Sequence, residues 1–311
     1  MARWIGRNVL SIDDIDQEDI VELFKRADGL QGAWPHVFET LKFARVTNLF
    51  YEPSTRTAKS FEAAAQMLGA DVLNITEPAY SSISKGESLE DTVRTLACYS
   101  NLIVLRHPDV GAAARAAKVA GVPVVNAGDG VGEHPTQALL DLYCIYRELG
   151  TLDGLTVGLV GDLKHGRTVH SLAKLLSRYD TKFVLVSPPA MGMPEGYCEG
   201  ECMTLEEAVP QVDVLYVTRV QKERLSAEDL TAHGLSGGYV ITPETMSRAK
   251  ASMALMHPFP RVGEILPSVD SDPRAAYFRQ IEGGLWVRAA LLSLVLGSVN
   301  QEGYLPLAKN R

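Results

Sequence analysis

An α/β fold of two domains, each a parallel β-sheet flanked by helices, with the active site in the cleft between them, is what this sequence predicts. Three observations lead there. From residue 43 onward, short apolar runs rich in Val, Ile and Leu alternate with longer runs whose apolar residues recur at three- and four-residue steps. A polar turn, Gly150-Thr151-Leu152-Asp153-Gly154, interrupts that rhythm and restarts it. Polar, cationic segments follow the apolar runs in both halves, where parallel sheets hold their ligands.

The first half carries strand candidates at 44–50, 72–75, 102–105 and 122–126, and the second at 156–160, 183–186, 214–218 and 254–256. They are expected to form two sheets of four. Between them lie helix stripes, such as Ala58, Phe61, Ala65 and Leu68, or Leu139, Leu142, Ile145 and Leu149. Strands that read as continuous apolar runs are covered on both faces. A last helix over 285–296 is apolar nearly all round and must be buried, crossing back onto the first domain. The expected limits are a first domain at 1–135 joined by the helix 286–311, a connecting helix at 136–150 and a second domain at 151–285.

Composition narrows the function classes. The chain has 311 residues, 46% hydrophobic and 22% charged, within the range of soluble globular proteins. A formal charge of −8 argues against nucleic acid as the main partner, while a local arginine cluster still allows an anionic substrate. The start, Met1-Ala2-Arg3-Trp4, leads into polar sequence without a signal-peptide core, and no apolar run approaches the about 20 residues of a membrane span. Four cysteines without a pattern suit the cytoplasm. Cys198 and Cys202 lack the further ligands of a zinc site, so no metal is expected.

The strand-end segments carry the chemistry. Ser54-Thr55-Arg56-Thr57 stands where a helix begins after the first strand. Backbone N–H groups and the helix dipole attract an anion there, and a guanidinium fork matches phosphate oxygens. An ordinary N-cap is the competing reading, although a cap needs one hydroxyl and no arginine. Arg106 directly after a buried strand either meets a ligand or forms a structural ion pair. His134, before Pro135 and Gln137, is a ligand group or a loop-packing histidine. His107, His165 and His170 are structural or carry no assignment, and His257-Pro258-Phe259-Pro260 reads on its own as a rigid turn. Lys85-Gly86 is not a P-loop, and Gly158-Leu159-Val160-Gly161 lacks the dinucleotide order, so no cofactor is expected.

Together these segments resemble the aspartate/ornithine transcarbamoylase family. Ser54-Thr55-Arg56-Thr57, Arg106-His107-Pro108 and His134-Pro135-Thr136-Gln137 look like its carbamoyl-phosphate site. Lys85-Gly86-Glu87 resembles the loop that a neighbouring subunit inserts in the trimeric aspartate branch. Val160-Gly161-Asp162-Leu163-Lys164, Gly166-Arg167-Thr168-Val169-His170, Thr218-Arg219-Val220-Gln221 with Lys222-Glu223-Arg224, and His257-Pro258-Phe259-Pro260-Arg261 are similar to that branch specifically. The blocks occur in order from about residue 50 to 290.

The resemblance implies transfer of the carbamoyl group of carbamoyl phosphate to the amine of aspartate, a step of pyrimidine biosynthesis. Ser54, Thr55, Arg56 and Arg106 would hold phosphate; Thr57, Arg106 and His134 would face the carbonyl oxygen. Gln137 and the carbonyls of Pro258 and Phe259 would bind the carbamoyl NH₂. Ser81 and Lys85 would arrive from the adjacent subunit of a homotrimer, with Arg56, Thr57, Arg106, His134 and Lys85 counted as catalytic. Two carboxylates want two arginines, so Arg167 and Arg219, with Gln221 beside them, suit aspartate and not ornithine. Glu52 resembles the residue that pairs with cations of the second domain, here Arg167 and Arg224. Phe259 departs from the family's aliphatic residue, and a ring there could reshape the cleft. A regulatory chain or fused pathway enzymes are compatible partners. The rival readings are an N-carbamoyltransferase with another amine acceptor, a silent anion-binding subunit, and a nucleotide-dependent enzyme.

Overall fold

The computed structural model describes residues 3–36, 40–75, 86–219 and 239–297. The chain divides into two compact units, Met1–Leu140 with Gly283–Arg311, and Asp141–Glu282.

The first unit opens with α1 (Gln17–Ala33), followed by β1 (Arg45–Phe50), α2 (Thr55–Met67), β2 (Asp71–Ile75), α3 (Leu89–Ala97), β3 (Leu102–His107), α4 (Ala112–Ala120), β4 (Val124–Asp129) and the start of α5 (Pro135–Leu149). The strands form one parallel sheet in the order β2-β1-β3-β4. The alternation read from residue 43 does not reach α1. That helix is nonetheless locally encoded: Asp16 accepts from the Asp19 N–H, Asp19 caps it in return, and Ile20, Leu23, Phe24, Ala27 and Leu30 bury one face. The strand expected at 122–126 begins later and runs on to Asp129. Pro123 has no N–H for the ladder, and only its carbonyl joins, accepting from Ile103.

The second unit holds β5 (Leu155–Val160), α6 (Arg167–Leu176), β6 (Thr181–Val186), β7 (Gly200–Cys202), α7 (Leu205–Ala208), β8 (Val214–Val217), α8 (Pro243–Ser247), β9 (Ala254–Met256) and the start of α9 (Tyr277–Leu296). Its sheet has five parallel strands, β7-β6-β5-β8-β9, where four were expected. The extra strand is β7, three exposed residues on an edge with no apolar pattern to announce it. Its Gly200 passes so close to β6 that a Cβ would stand 2.8 Å from the Phe183 carbonyl oxygen.

Each unit has its own core. Leu49, Val93, Ile103, Leu105, Ala116 and Val124 fill the first, and Val160, Val184, Leu215, Met246, Leu255 and Tyr277 the second. Burial of a large apolar side chain contributes roughly 1.5–3 kcal/mol, so these interiors fix where the strand ends lie. The C-terminal part of α9 belongs to the first unit, where Arg288 donates to Ser60 Oγ (2.8 Å) and lies over the Phe61 ring of α2. Among the described residues no helix is long and apolar enough to cross a membrane.

Candidate active site

In the first sheet the chain leaves β1 toward β2 on one side, while β3 lies on the other. The order therefore reverses between β1 and β3, and the carboxyl ends of these strands are where such a sheet holds a ligand. Phe50 pairs with Arg106 in the register, and the Tyr51 N–H donates to the Arg106 carbonyl (2.8 Å). Sheet pairing thus brings the segment 54–57 beside Arg106.

The start of α2 is unlike an ordinary helix start. Ser54 stands at the N-cap, but its side chain makes no cap hydrogen bond, and the first turn carries no acid. Asp16, Ser88, Thr204 and Thr242 do cap their helices, α1, α3, α7 and α8, and each of those first turns carries an acidic residue. A helix start left without cap or acid retains its attraction for an external anion. Thr57 is buried, while Thr55 and Arg56 are exposed. Arg106 is largely buried; its Nη1 donates to the Ala127 carbonyl (3.3 Å), and its Nε stands 3.4 Å from Glu52 Oε2. The guanidinium is thus held by one carbonyl and one carboxylate of its own unit.

The neighbouring strand β4 delivers His134 and Gln137. Asp129, buried at the end of β4, accepts from the N–H groups of Gly111 and Glu133 (2.8 Å each), which folds the loop back on itself. Gly130 has a positive φ, and a Cβ there would fall 2.1 Å from the Pro108 carbonyl oxygen, so only glycine lets the two loops meet. His134 is buried, and its carbonyl accepts from Gln137 and Ala138 at the start of α5. His107 is structural: its Nδ1 accepts from the Asp109 N–H (3.0 Å), its ring lies on Tyr51, and burial holds its pKa below the usual histidine value.

The second sheet reverses between β5 and β8. Gly161, after β5, has a φ of +110°, and a Cβ there would meet the Thr218 carbonyl oxygen at 2.5 Å. Arg167 is the first residue of α6, and its N-cap, Gly166, offers no side chain. Arg219 follows β8 closely. The fully buried Asp162 is turned inward, accepting from the His165 N–H (3.0 Å) and contacting its Nδ1 (3.1 Å). His170 Nε2 donates to the Leu163 carbonyl (2.6 Å) and its ring stacks on Tyr197, so it pins the loop from inside. Burial lowers its pKa.

The loop after β9, at the sheet edge beside β8, carries Pro258 and Phe259. Phe259 takes a φ of +56°, an unusual conformation for a side chain of that size, and its N–H donates to His257 Nδ1 (2.8 Å). Its ring packs on the core of the second unit, against His257, Tyr277 and Phe278. The departure from an aliphatic residue is therefore absorbed by an aromatic cluster. Arg261 anchors the loop's far end, donating through Nη2 to Asp270 Oδ2 (3.0 Å) and through Nη1 to the Tyr277 hydroxyl (3.2 Å).

The fold thus gathers Ser54, Thr55, Arg56, Thr57, Arg106, His134 and Gln137 at the ends of three adjacent strands of one unit. Arg167, Arg219, Pro258 and Phe259 gather at the ends of three adjacent strands of the other. Ser81, Lys85, Gln221 and Arg224 lie outside the described residues. Sequence reasoning missed Asp129 and a buried pair, Asp141 and Gln280, and named Asp162 only within a strand-end block without a role of its own. The signal for Asp141 was a carboxylate within the apolar run of α5, since such a group must find partners. Burial pushes the Cys198 thiol up to about 11, and among the described residues no three His, Cys, Asp or Glu side chains gather as a metal site.

Similar proteins identify the family. Residues 7–147 match the aspartate/ornithine carbamoyltransferase carbamoyl-P binding domain, and residues 153–295 the Asp/Orn binding domain. An aspartate carbamoyltransferase catalytic subunit of Archaeoglobus fulgidus is 49% identical over 93% of this chain and 99% of its own length. The multifunctional protein CAD of Squalus acanthias is 48% identical over 94% of this chain, which spans 14% of that larger protein. The crystal structure of aspartate transcarbamoylase from Trypanosoma cruzi with carbamoyl aspartate and phosphate superposes with a TM-score of 0.91 at 43% identity. That alignment covers 96% of this chain and 98% of the other. The chain belongs to the aspartate/ornithine carbamoyltransferase family.

Proposed function

We infer that this chain transfers the carbamoyl group of carbamoyl phosphate to the amine of L-aspartate, giving N-carbamoyl-L-aspartate and phosphate for pyrimidine biosynthesis. The observation that carries this reading is the pair of switch points, each with an arginine in the first turn of an uncapped helix and a second arginine from the neighbouring strand end.

The first unit is the carbamoyl-phosphate domain in this reading. Ser54, Thr55, Arg56 and Arg106 bind the phosphate; Thr57, Arg106 and His134 donate to the carbonyl oxygen. Gln137 and the Pro258 and Phe259 carbonyls hold the NH₂ group. Arg167 and Arg219, with Gln221, take the two carboxylates of aspartate. The aspartate nitrogen lone pair attacks the carbonyl carbon and forms a C–N bond, which places negative charge on the carbonyl oxygen. That charge returns, the C–O bond to phosphate breaks with its electron pair on the phosphate, and the phosphate takes the amine proton. The side chains bind, orient and stabilise charge, so catalysis rests on positioning and electrostatics.

We also assign a cytoplasmic homotrimer in which Ser81 and Lys85 come from a neighbouring copy, on the resemblance of the segment around Lys85. Four cysteines without a disulfide pattern in the sequence suit a reducing compartment. A light-scattering mass of one chain, 33.8 kDa, would overturn the trimer. The activity itself is tested by incubating the full chain with carbamoyl phosphate and L-aspartate and measuring carbamoyl aspartate. Turnover with ornithine or putrescine but none with aspartate would sink the assignment.

A further inference from the structure

A continuous chain of hydrogen bonds, buried except at its last link, runs behind the loop that carries Pro258 and Phe259. Tyr216 on β8 donates its hydroxyl to Asp141 Oδ2 (2.7 Å), and Gln280 Nε2 on α9 donates to Asp141 Oδ1 (2.6 Å). Gln280 Oε1 accepts from the His257 N–H (3.0 Å), and His257 Nδ1 accepts from the Phe259 N–H (2.8 Å). Asp141 and Tyr216 are fully buried, with Gln280 and His257 at 1% exposure, so the first three bonds are made away from water and the last, to Phe259, is part-buried.

Every link has a fixed direction. Asp141 accepts through both carboxyl oxygens, from Tyr216 and from Gln280, so the NH₂ end of Gln280 is turned toward it. The carbonyl end of Gln280 then faces the His257 N–H, which only donates. His257 Nδ1 accepts, so the neutral ring carries its proton on Nε2, which stands 3.8 Å from Glu264. The last acceptor holds the amide of Phe259, the residue at φ +56° whose conformation costs energy and must be imposed from outside.

We propose that Asp141 and Gln280 are positioning residues for the carbamoyl group: they orient His257, and through it the Pro258 and Phe259 carbonyls that accept from the carbamoyl NH₂. This rests on the carbamoyl-transfer reading above. Neither residue touches substrate; both act through the loop. A network that merely stabilised the unit would be indifferent to which phosphate ester is bound. A positioning network discriminates between carbamoyl phosphate and acetyl phosphate, which has a methyl where the NH₂ stands and needs no carbonyl acceptor.

The test compares the KM for carbamoyl phosphate with the inhibition constant of acetyl phosphate in the aspartate assay. Gln280→Met removes both hydrogen bonds at similar volume and is expected to weaken carbamoyl phosphate about tenfold while leaving acetyl phosphate within twofold. Gln280→Glu preserves shape and keeps the links only while the new carboxyl shares a proton with that of Asp141. Its preference for carbamoyl phosphate should therefore fall as pH rises from about 6 to about 9, relative to the unaltered protein, as that shared proton is lost. If Gln280→Met fails to fold, that profile decides alone. Parallel weakening of both esters, or a flat relative profile for Gln280→Glu, overturns the proposal. Failure of the carbamoyl-transfer reading is distinct, because the unaltered chain would then show no carbamoyl aspartate.

Discussion

The two switch points share one architectural device, which the proposed reading assigns to two different anions. At each, a parallel strand ends, a helix begins without a side-chain cap, and its first turn offers an arginine, Arg56 in α2 and Arg167 in α6. At each, the strand across the reversal ends near a second arginine, Arg106 or Arg219. The surroundings differ. The first crowds Ser54, Thr55 and Thr57 around the helix start and holds Arg106 between Ala127 and Glu52. The second carries a single hydroxyl, Thr168, in its first turn behind Gly166, and its nearby carboxylate, Asp162, is buried and turned to His165. A phosphate presents several oxygens at one point and rewards dense donors; a dicarboxylate presents two separate forks and rewards two guanidinium groups.

If the seats are distinct, damage to each should fall on a different substrate. Arg106→Ala is expected to have the largest effect, because in the proposed reading this group faces both phosphate and developing oxyanion. Its kcat/KM for carbamoyl phosphate should fall about 10³-fold or more, on the order of 4 kcal/mol of barrier. Arg219→Ala should be milder, raising the KM for aspartate about 100-fold through loss of one charge-assisted pair. Carbamoyl phosphate binding to that variant without aspartate, read by calorimetry, should stay within twofold of the parent. If Arg219→Ala weakened carbamoyl phosphate as strongly as Arg106→Ala, the two seats would not be separate and the comparison would break.

Much of this was legible in the sequence, for identifiable reasons. Parallel strands buried on both faces read as unbroken apolar runs, so β1, β3, β5 and β8 stood out, and the polar residues after them stood out by contrast. Strand order was not legible: nothing local to residues 45–50 says that β3 and not β4 lies beside β1, yet that adjacency puts Arg106 next to α2. The edge strand β7 was invisible because three exposed residues carry no pattern. Gln280 and Asp141 stayed hidden because their roles appear only once α5, α9 and the loop after β9 share an interior. The direction of the Phe259 ring was hidden for the same reason, since an aromatic side chain in a loop is as compatible with a cleft as with a core.

The finest distinction lies between two serines that read alike in sequence. Ser54 and Ser88 both precede helices, but Ser88 Oγ accepts from the Asp91 N–H (3.1 Å), whereas the Ser54 side chain makes no cap. Ser88→Ala should therefore cost about 1 kcal/mol of stability in urea denaturation of the ligand-free protein and leave phosphate binding unchanged. Ser54→Ala should leave the ligand-free midpoint where it was and weaken inorganic phosphate about tenfold, the worth of one hydrogen bond to a charged group. Equal destabilisation by the two substitutions would make Ser54 an ordinary cap and remove the main physical reason for reading the start of α2 as an anion seat. The opposite pattern would mean that α2 forgoes its own cap and that the missing partner is the ligand itself.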